Sequence, residues 1–153
     1  SHYLIMGAGI VVLAVTTVTQ WQPSKPSQAA EMSEEKWQVV NYWSEWCAPC
    51  RAEIPMLNKL NETLASTNVA VVGVNFDEDP REKTLAIAND IGIKFPTLTL
   101  EEAMGLQLGY PNVLPTTYIL SPDNELIATM VGEQTYESML STLASLNLPE
   151  KSL

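Results

Sequence analysis

The chain's only two cysteines stand two residues apart in Trp46-Cys47-Ala48-Pro49-Cys50, directly after an apolar run and directly before a helical pattern. Two intervening residues bring the sulfurs within disulfide reach when the pair opens a helix. The unpaired N–H groups and the dipole of that first turn also stabilise a thiolate there, and a thiolate is a nucleophile where a thiol is not. So small a loop constrains an unfolded chain little, so the pair reads as chemistry or metal binding rather than as a staple. A four-ligand zinc site needs two further donors, and the single histidine, His2, lies far upstream. A reversible dithiol switch is the leading expectation. A copper or zinc carrier using both thiols stays open beside it.

The elements around the motif say how it is held. Trp37–Trp43 has the composition of a strand and ends just short of the dithiol. Residues 51–66 carry Ile54, Leu57, Leu60 and Leu64 at helical spacing, with Pro55 predicting a kink. Residues 69–74 are a nearly continuous apolar strand, as expected inside a sheet covered on both faces. Asp79, Pro80 and Glu82 predict a reciprocally capped helix with Asp79 as cap and Pro80 at its first position, running to Asn89 with Gly92 beyond its end. Asp77, Glu78 and Asp79 therefore read as solvated loop and cap residues rather than as a calcium or magnesium site. An extended segment over 95–100, a short helix over 103–108, a strand pair Thr116–Leu120 and Leu126–Val131 across Pro122-Asp123-Asn124, and a last helix over 135–146 complete the order. It predicts a mixed-sheet α/β domain.

The 153 residues, 46% hydrophobic and 17% charged, fit one globular domain rather than a disordered chain. Eight basic residues against 18 acidic ones give a net charge of −10, and no basic patch offers a nucleic-acid surface. No glycine-rich loop of dinucleotide or P-loop type follows a strand. Residues 4–18 carry no charge; residues 1–21 read as a signal peptide or N-terminal membrane anchor, and 22–35, with Pro23 and Pro26, as a polar linker. A membrane-directed start places the following domain in a periplasmic or other extracytoplasmic compartment, attached to the inner membrane or released by cleavage. Disulfide chemistry is permitted there.

The motif Trp46-Cys47-Ala48-Pro49-Cys50, Pro55 beyond it, and Leu114-Pro115-Thr116-Thr117 before the strand pair together resemble the thioredoxin fold. They most resemble its membrane-anchored TlpA, ResA and CcmG-like thiol-disulfide oxidoreductases. The resemblance covers 36–148 as a thioredoxin-like domain: a mixed sheet flanked by helices, with a central insertion over 75–108 and an abbreviated N-terminal region. Residues 149–153 are left as a tail.

By that resemblance Cys47 is the exposed attacking cysteine and Cys50 the buried resolving one. Pro115 matches the family's cis-proline, whose preceding backbone, here at Leu114, pairs with an incoming peptide, and Thr116 is a second substrate-facing candidate or a simple strand starter. Trp46 resembles the aromatic beside the attacking sulfur, while Trp43 fills adjacent core. Asn41 stands where thioredoxin has a buried proton-transferring aspartate. Glu53 coincides with the acid that tunes the cysteines in ResA-like proteins, expected on the first helical turn or else as an exposed helix-end charge. Ala48 and Pro49 shape the helix start, and Arg51 either steers a partner thiolate or solvates the surface. The resemblance implies a reductase of disulfide-bearing proteins, apocytochrome c among the candidates, fed by a membrane thiol-disulfide donor. No cofactor is implied beyond the Cys47-Cys50 disulfide. A general disulfide oxidant or isomerase is the nearest alternative.

Overall fold

In a computed structural model of the chain, residues 36–148 are described. The expectations for 1–35 and 149–153, and for an abbreviated N-terminal region, lie outside them. Five strands, β1 (Trp37–Trp43), β2 (Val69–Asn75), β3 (Thr97–Leu98), β4 (Thr116–Leu120) and β5 (Leu126–Val131), form one sheet in the order β3-β2-β1-β4-β5. Among the described residues four helices accompany them: α1 (Ala48–Leu64), α2 (Arg81–Asp90), α3 (Leu100–Gly105) and, after β5, α4 (Tyr136–Ser145). β1 pairs parallel with β2 and antiparallel with β4, so the strand that delivers the dithiol is the central one.

Alternation along the strands divides the core into two layers. Val39, Val71 and Ile119 meet Leu57, Leu60 and Leu64 of α1 and Met139 and Leu143 of α4 on one face. Val40, Tyr42, Val72, Val74, Tyr118 and Leu120 meet Leu98, Leu100, Ala103 and Leu108 on the other. Tyr42 and Tyr118 stack edge to face across β1 and β4, ring centroids 5.6 Å apart.

Local chemistry moved several boundaries. α1 begins three residues earlier than the apolar spacing indicates, at Ala48, and continues through Pro55 to Leu64. The expected cap of α2 does not form. Pro80 is the residue preceding its first turn, and the Asp79 carboxylate is drawn away by Lys83 Nζ at 2.6 Å and by Asn75 Nδ2 at 3.2 Å. Its helix ends as anticipated, with Gly92 at φ +83° while Gly92 N–H donates to Asn89 and Ile93 N–H to Ala88. Reciprocal caps appear instead at Thr99 with Glu102 and at Thr135 with Ser138. The Thr99 cap starts α3 at Leu100 rather than 103 and cuts the expected extended segment over 95–100 to two paired residues.

Candidate functional site: a dithiol above a buried carboxylate

β1 ends at Trp43, and a short turn carries the chain into α1. Cys47 is the cap residue of that helix, with φ −86° and ψ 100°, Ala48 opens its first turn, and Pro49 follows where a missing N–H costs nothing. Cys47 Sγ accepts the N–H of Cys50 at 3.3 Å, so the sulfur stands in the position that an N-cap oxygen takes in other helices. Cys47 and Cys50 are joined in a disulfide with Cα atoms 5.3 Å apart. In this oxidised form both are buried: Cys47 is 4% exposed and Cys50 1%. Cys47, expected to be the exposed sulfur of the pair, is buried in this form like Cys50. Ala48, Pro49 and Arg51 are exposed.

Trp43 is fully buried and packs with Cys47, Cys50, Ile87 and Ala88, and Leu114 borders this cluster. Among the described residues its indole N–H has no hydrogen-bond partner. Gly73 makes room for it: a Cβ there would lie 2.9 Å from Trp43 Nε1 and 2.9 Å from Phe95 Cε2. Trp46, by contrast, is 69% exposed beside Cys47, and its Nε1 donates to Asp77 Oδ1 at 3.0 Å. Ser44 donates to the other oxygen of Asp77, so the loop after β2 fixes the turn that bears the tryptophan. The Leu114-Pro115 peptide is cis. Thr116 opens β4, is 2% exposed, and its hydroxyl donates to the Val113 carbonyl at 2.7 Å.

Glu53 is not a helix-end surface charge. It lies in the second turn of α1, three residues after Cys50 on the same helical face, and is 2% exposed. Asn41 points from β1 toward α1, its Nδ2 donating to Glu53 Oε1 at 2.6 Å and to Thr117 Oγ1 at 3.1 Å. Thr117 is there because the β1–β4 register sets it opposite Asn41. Gln134 N–H, from the turn between β5 and α4, donates to Glu53 Oε2 at 3.0 Å. Burial raises the Glu53 carboxyl from an ordinary 4.5 to about 6, against the lowering effect of the Gln134 and Asn41 hydrogen bonds and with a small push from the Glu133 charge. The group therefore changes charge in the range where thiol chemistry is read out.

Trp43 and Leu114 thus pack with the two cysteines, Trp46 stands exposed beside Cys47, and Asn41 is bonded to Glu53 one helical turn past Cys50. Thr117, Gln134, Asp77 and Ser44 were not singled out for the site. Gln134 and Thr117 meet their partners across 81 and 76 residues, and no local spacing announces either contact. Among the described residues there is no metal-binding cluster of three or more His, Cys, Asp or Glu, and no helix is long and apolar enough to cross a membrane.

Comparison with known proteins agrees with this geometry. The chain is 36% identical over 105 residues to the thioredoxin-like protein YneN of Bacillus subtilis (strain 168), a stretch covering 66% of this chain and 59% of that protein. It is 29% identical over 124 residues to the thiol-disulfide oxidoreductase ResA of the same organism, covering 78% of this chain and 66% of ResA. The chain thus spans less than two thirds of the length of these relatives. The crystal structure of StoA from Bacillus subtilis superposes with a TM-score of 0.59 at 20% identity, over 71% of this chain and 82% of that one, which establishes the common fold. The AhpC/TSA family description matches residues 12–129. A five-stranded mixed sheet, a dithiol at the start of its central helix and a family match over most of the chain lead to one conclusion: the chain belongs to the AhpC/TSA family and has the thioredoxin-like fold.

Proposed function

We propose that this chain is an extracytoplasmic thiol-disulfide oxidoreductase that works as a reductase of protein disulfides. Cys47 thiolate attacks one sulfur of a client disulfide, forming a mixed disulfide and releasing the client's other sulfur as a thiolate. Cys50 thiolate then attacks Cys47 Sγ, freeing the second client thiol and leaving Cys47-Cys50 oxidised. Two electrons pass to the client, two protons are taken up by its thiolates, and a membrane thiol-disulfide carrier restores the dithiol. No bound cofactor is required.

One observation favours the reducing direction: the buried Glu53 carboxyl sits one helical turn from Cys50. Once ionised it opposes a neighbouring thiolate, whereas a strong oxidant requires an unusually stabilised one. The uncharged N-terminal run supports attachment to a membrane, and names such as thiol-disulfide oxidoreductase among the relatives support the reaction class. The resemblance to the ResA and CcmG group supports apocytochrome c as a client. Reduction of insulin disulfides by the reduced protein with a recycling thiol tests the proposal. Turnover that is lost in Cys47→Ser upholds it, and tight stoichiometric metal binding with no turnover replaces it by the metal-carrier reading.

A further inference from the structure

Gln134 has no titratable side chain and lies in a turn far from the cysteines in sequence, yet its backbone N–H, with the Asn41 side chain, fixes the buried Glu53 carboxylate. The turn that presents it is held at both ends. Gly132 has φ +86°, a conformation that favours glycine, and its N–H donates to the Pro115 carbonyl at 2.9 Å. The Gln134 side chain folds back on the same turn, Nε2 donating to the Gly132 carbonyl at 3.0 Å and Oε1 accepting from Ser138 Oγ at 3.0 Å. These contacts leave the Gln134 N–H aimed at Glu53 and connect the acid to the residue that precedes β4.

We propose that the backbone N–H of Gln134 is a positioning group for thiol exchange: it orients the Glu53 carboxylate one helical turn from Cys50 and sets the pH at which that carboxylate acts on the cysteines. The inference rests on Glu53 acting on the dithiol. It adds that the Gly132, Glu133 and Gln134 turn governs how it acts. The groups facing Glu53 are Asn41 from β1, with Thr117 of β4 behind it, Glu133 and Gln134 from the turn, and Cys50 on its own helix, which titrates once reduced.

Removing the N–H separates this role from packing. Gln134→Ala keeps the donor and deletes the side chain; Gln134→Pro deletes both. Iodoacetamide alkylation of Cys47 in the reduced protein is followed from pH 5 to 9 for both variants, Glu53→Gln, and the Glu53→Gln, Gln134→Pro double variant. Loss of one hydrogen bond to a carboxylate moves its titration up by about one pH unit, so Gln134→Pro alkylates roughly threefold faster than Gln134→Ala near pH 6.5. In the Glu53→Gln background the proline has no further effect. Equal profiles for the two Gln134 variants, or a proline effect that persists without Glu53, overturn the inference and leave the role of Glu53 standing. A Glu53→Gln profile identical to that of the unaltered protein overturns that role itself. A second measurement needs no variant: in the oxidised protein the Gln134 amide proton resonance follows the ionisation of Glu53 with a midpoint near pH 6. A Gln134 amide that stays flat while the Glu53 carboxyl carbon titrates overturns the inference.

Discussion

Asn41 and Glu53 are joined by a 2.6 Å hydrogen bond between two side chains sealed from solvent, one on the central strand and one on the helix that starts at the dithiol. The amide cannot take up a proton, but it can hold a carboxylate that does. The buried carboxyl of this pair stands on the helix, one turn from Cys50.

The raised titration of Glu53 makes a stability prediction with a definite sign. The folded protein holds this proton more tightly than the unfolded chain, so the contribution of Glu53 is fully present below pH 4.5 and is lost as pH rises through about 6. A shift of that size corresponds to roughly 2 kcal/mol. Urea unfolding of the oxidised protein between pH 4 and 7, where the thiols do not titrate, should show stability falling with pH by about this amount relative to Glu53→Gln. Parallel curves for the two proteins would remove the linkage.

Asn41→Ala takes the donor from both Glu53 and Thr117 without offering water a route in. Leaving a charged acceptor unsatisfied costs roughly 1.5–3 kcal/mol, so the loss should be largest at pH 7 and smaller at pH 4.5, where Glu53 is neutral. Thermal melts at the two pH values compare them directly.

Much of this architecture was legible in the chain. β1, β4 and β5 are recognisable from β-branched and aromatic runs bounded by turn residues, and the dithiol from its spacing. The starts of α2 and α3 were not. Asp79 has the ideal cap composition yet is claimed by Lys83 and Asn75, and Thr99 caps a helix whose apolar pattern is too short to read. The resemblance to a known family brought Glu53 into view, while its burial and its contacts depend on strand register and on a turn 81 residues away. Local periodicity carries no trace of contacts made at that distance.

Cys50→Ser should fold and accumulate mixed disulfides with client proteins through Cys47, because the resolving attack is missing. Non-reducing gels before and after a reductant display them. A reactive Cys47 that captures no disulfide-bearing protein would count against the exchange scheme.

Gly73→Ala places a methyl group 2.9 Å from both Trp43 Nε1 and Phe95 Cε2 and 3.0 Å from Thr97 Oγ1. Overpacking of this kind costs roughly 1–3 kcal/mol. Because Trp43 packs on the disulfide, the variant should also change the ease of reducing Cys47-Cys50, measured as the rate with dithiothreitol, while Gly105→Ala, with open space around its Cβ, leaves that rate unchanged.

The equilibrium reduction potential of the Cys47-Cys50 couple, titrated against defined thiol-disulfide buffers at pH 7, tests the reducing direction most directly. The account predicts a value of about −270 mV or lower, in the range of reducing thioredoxin-like proteins. A value near the roughly −120 mV of strong oxidants would contradict it and assign the chain to disulfide formation.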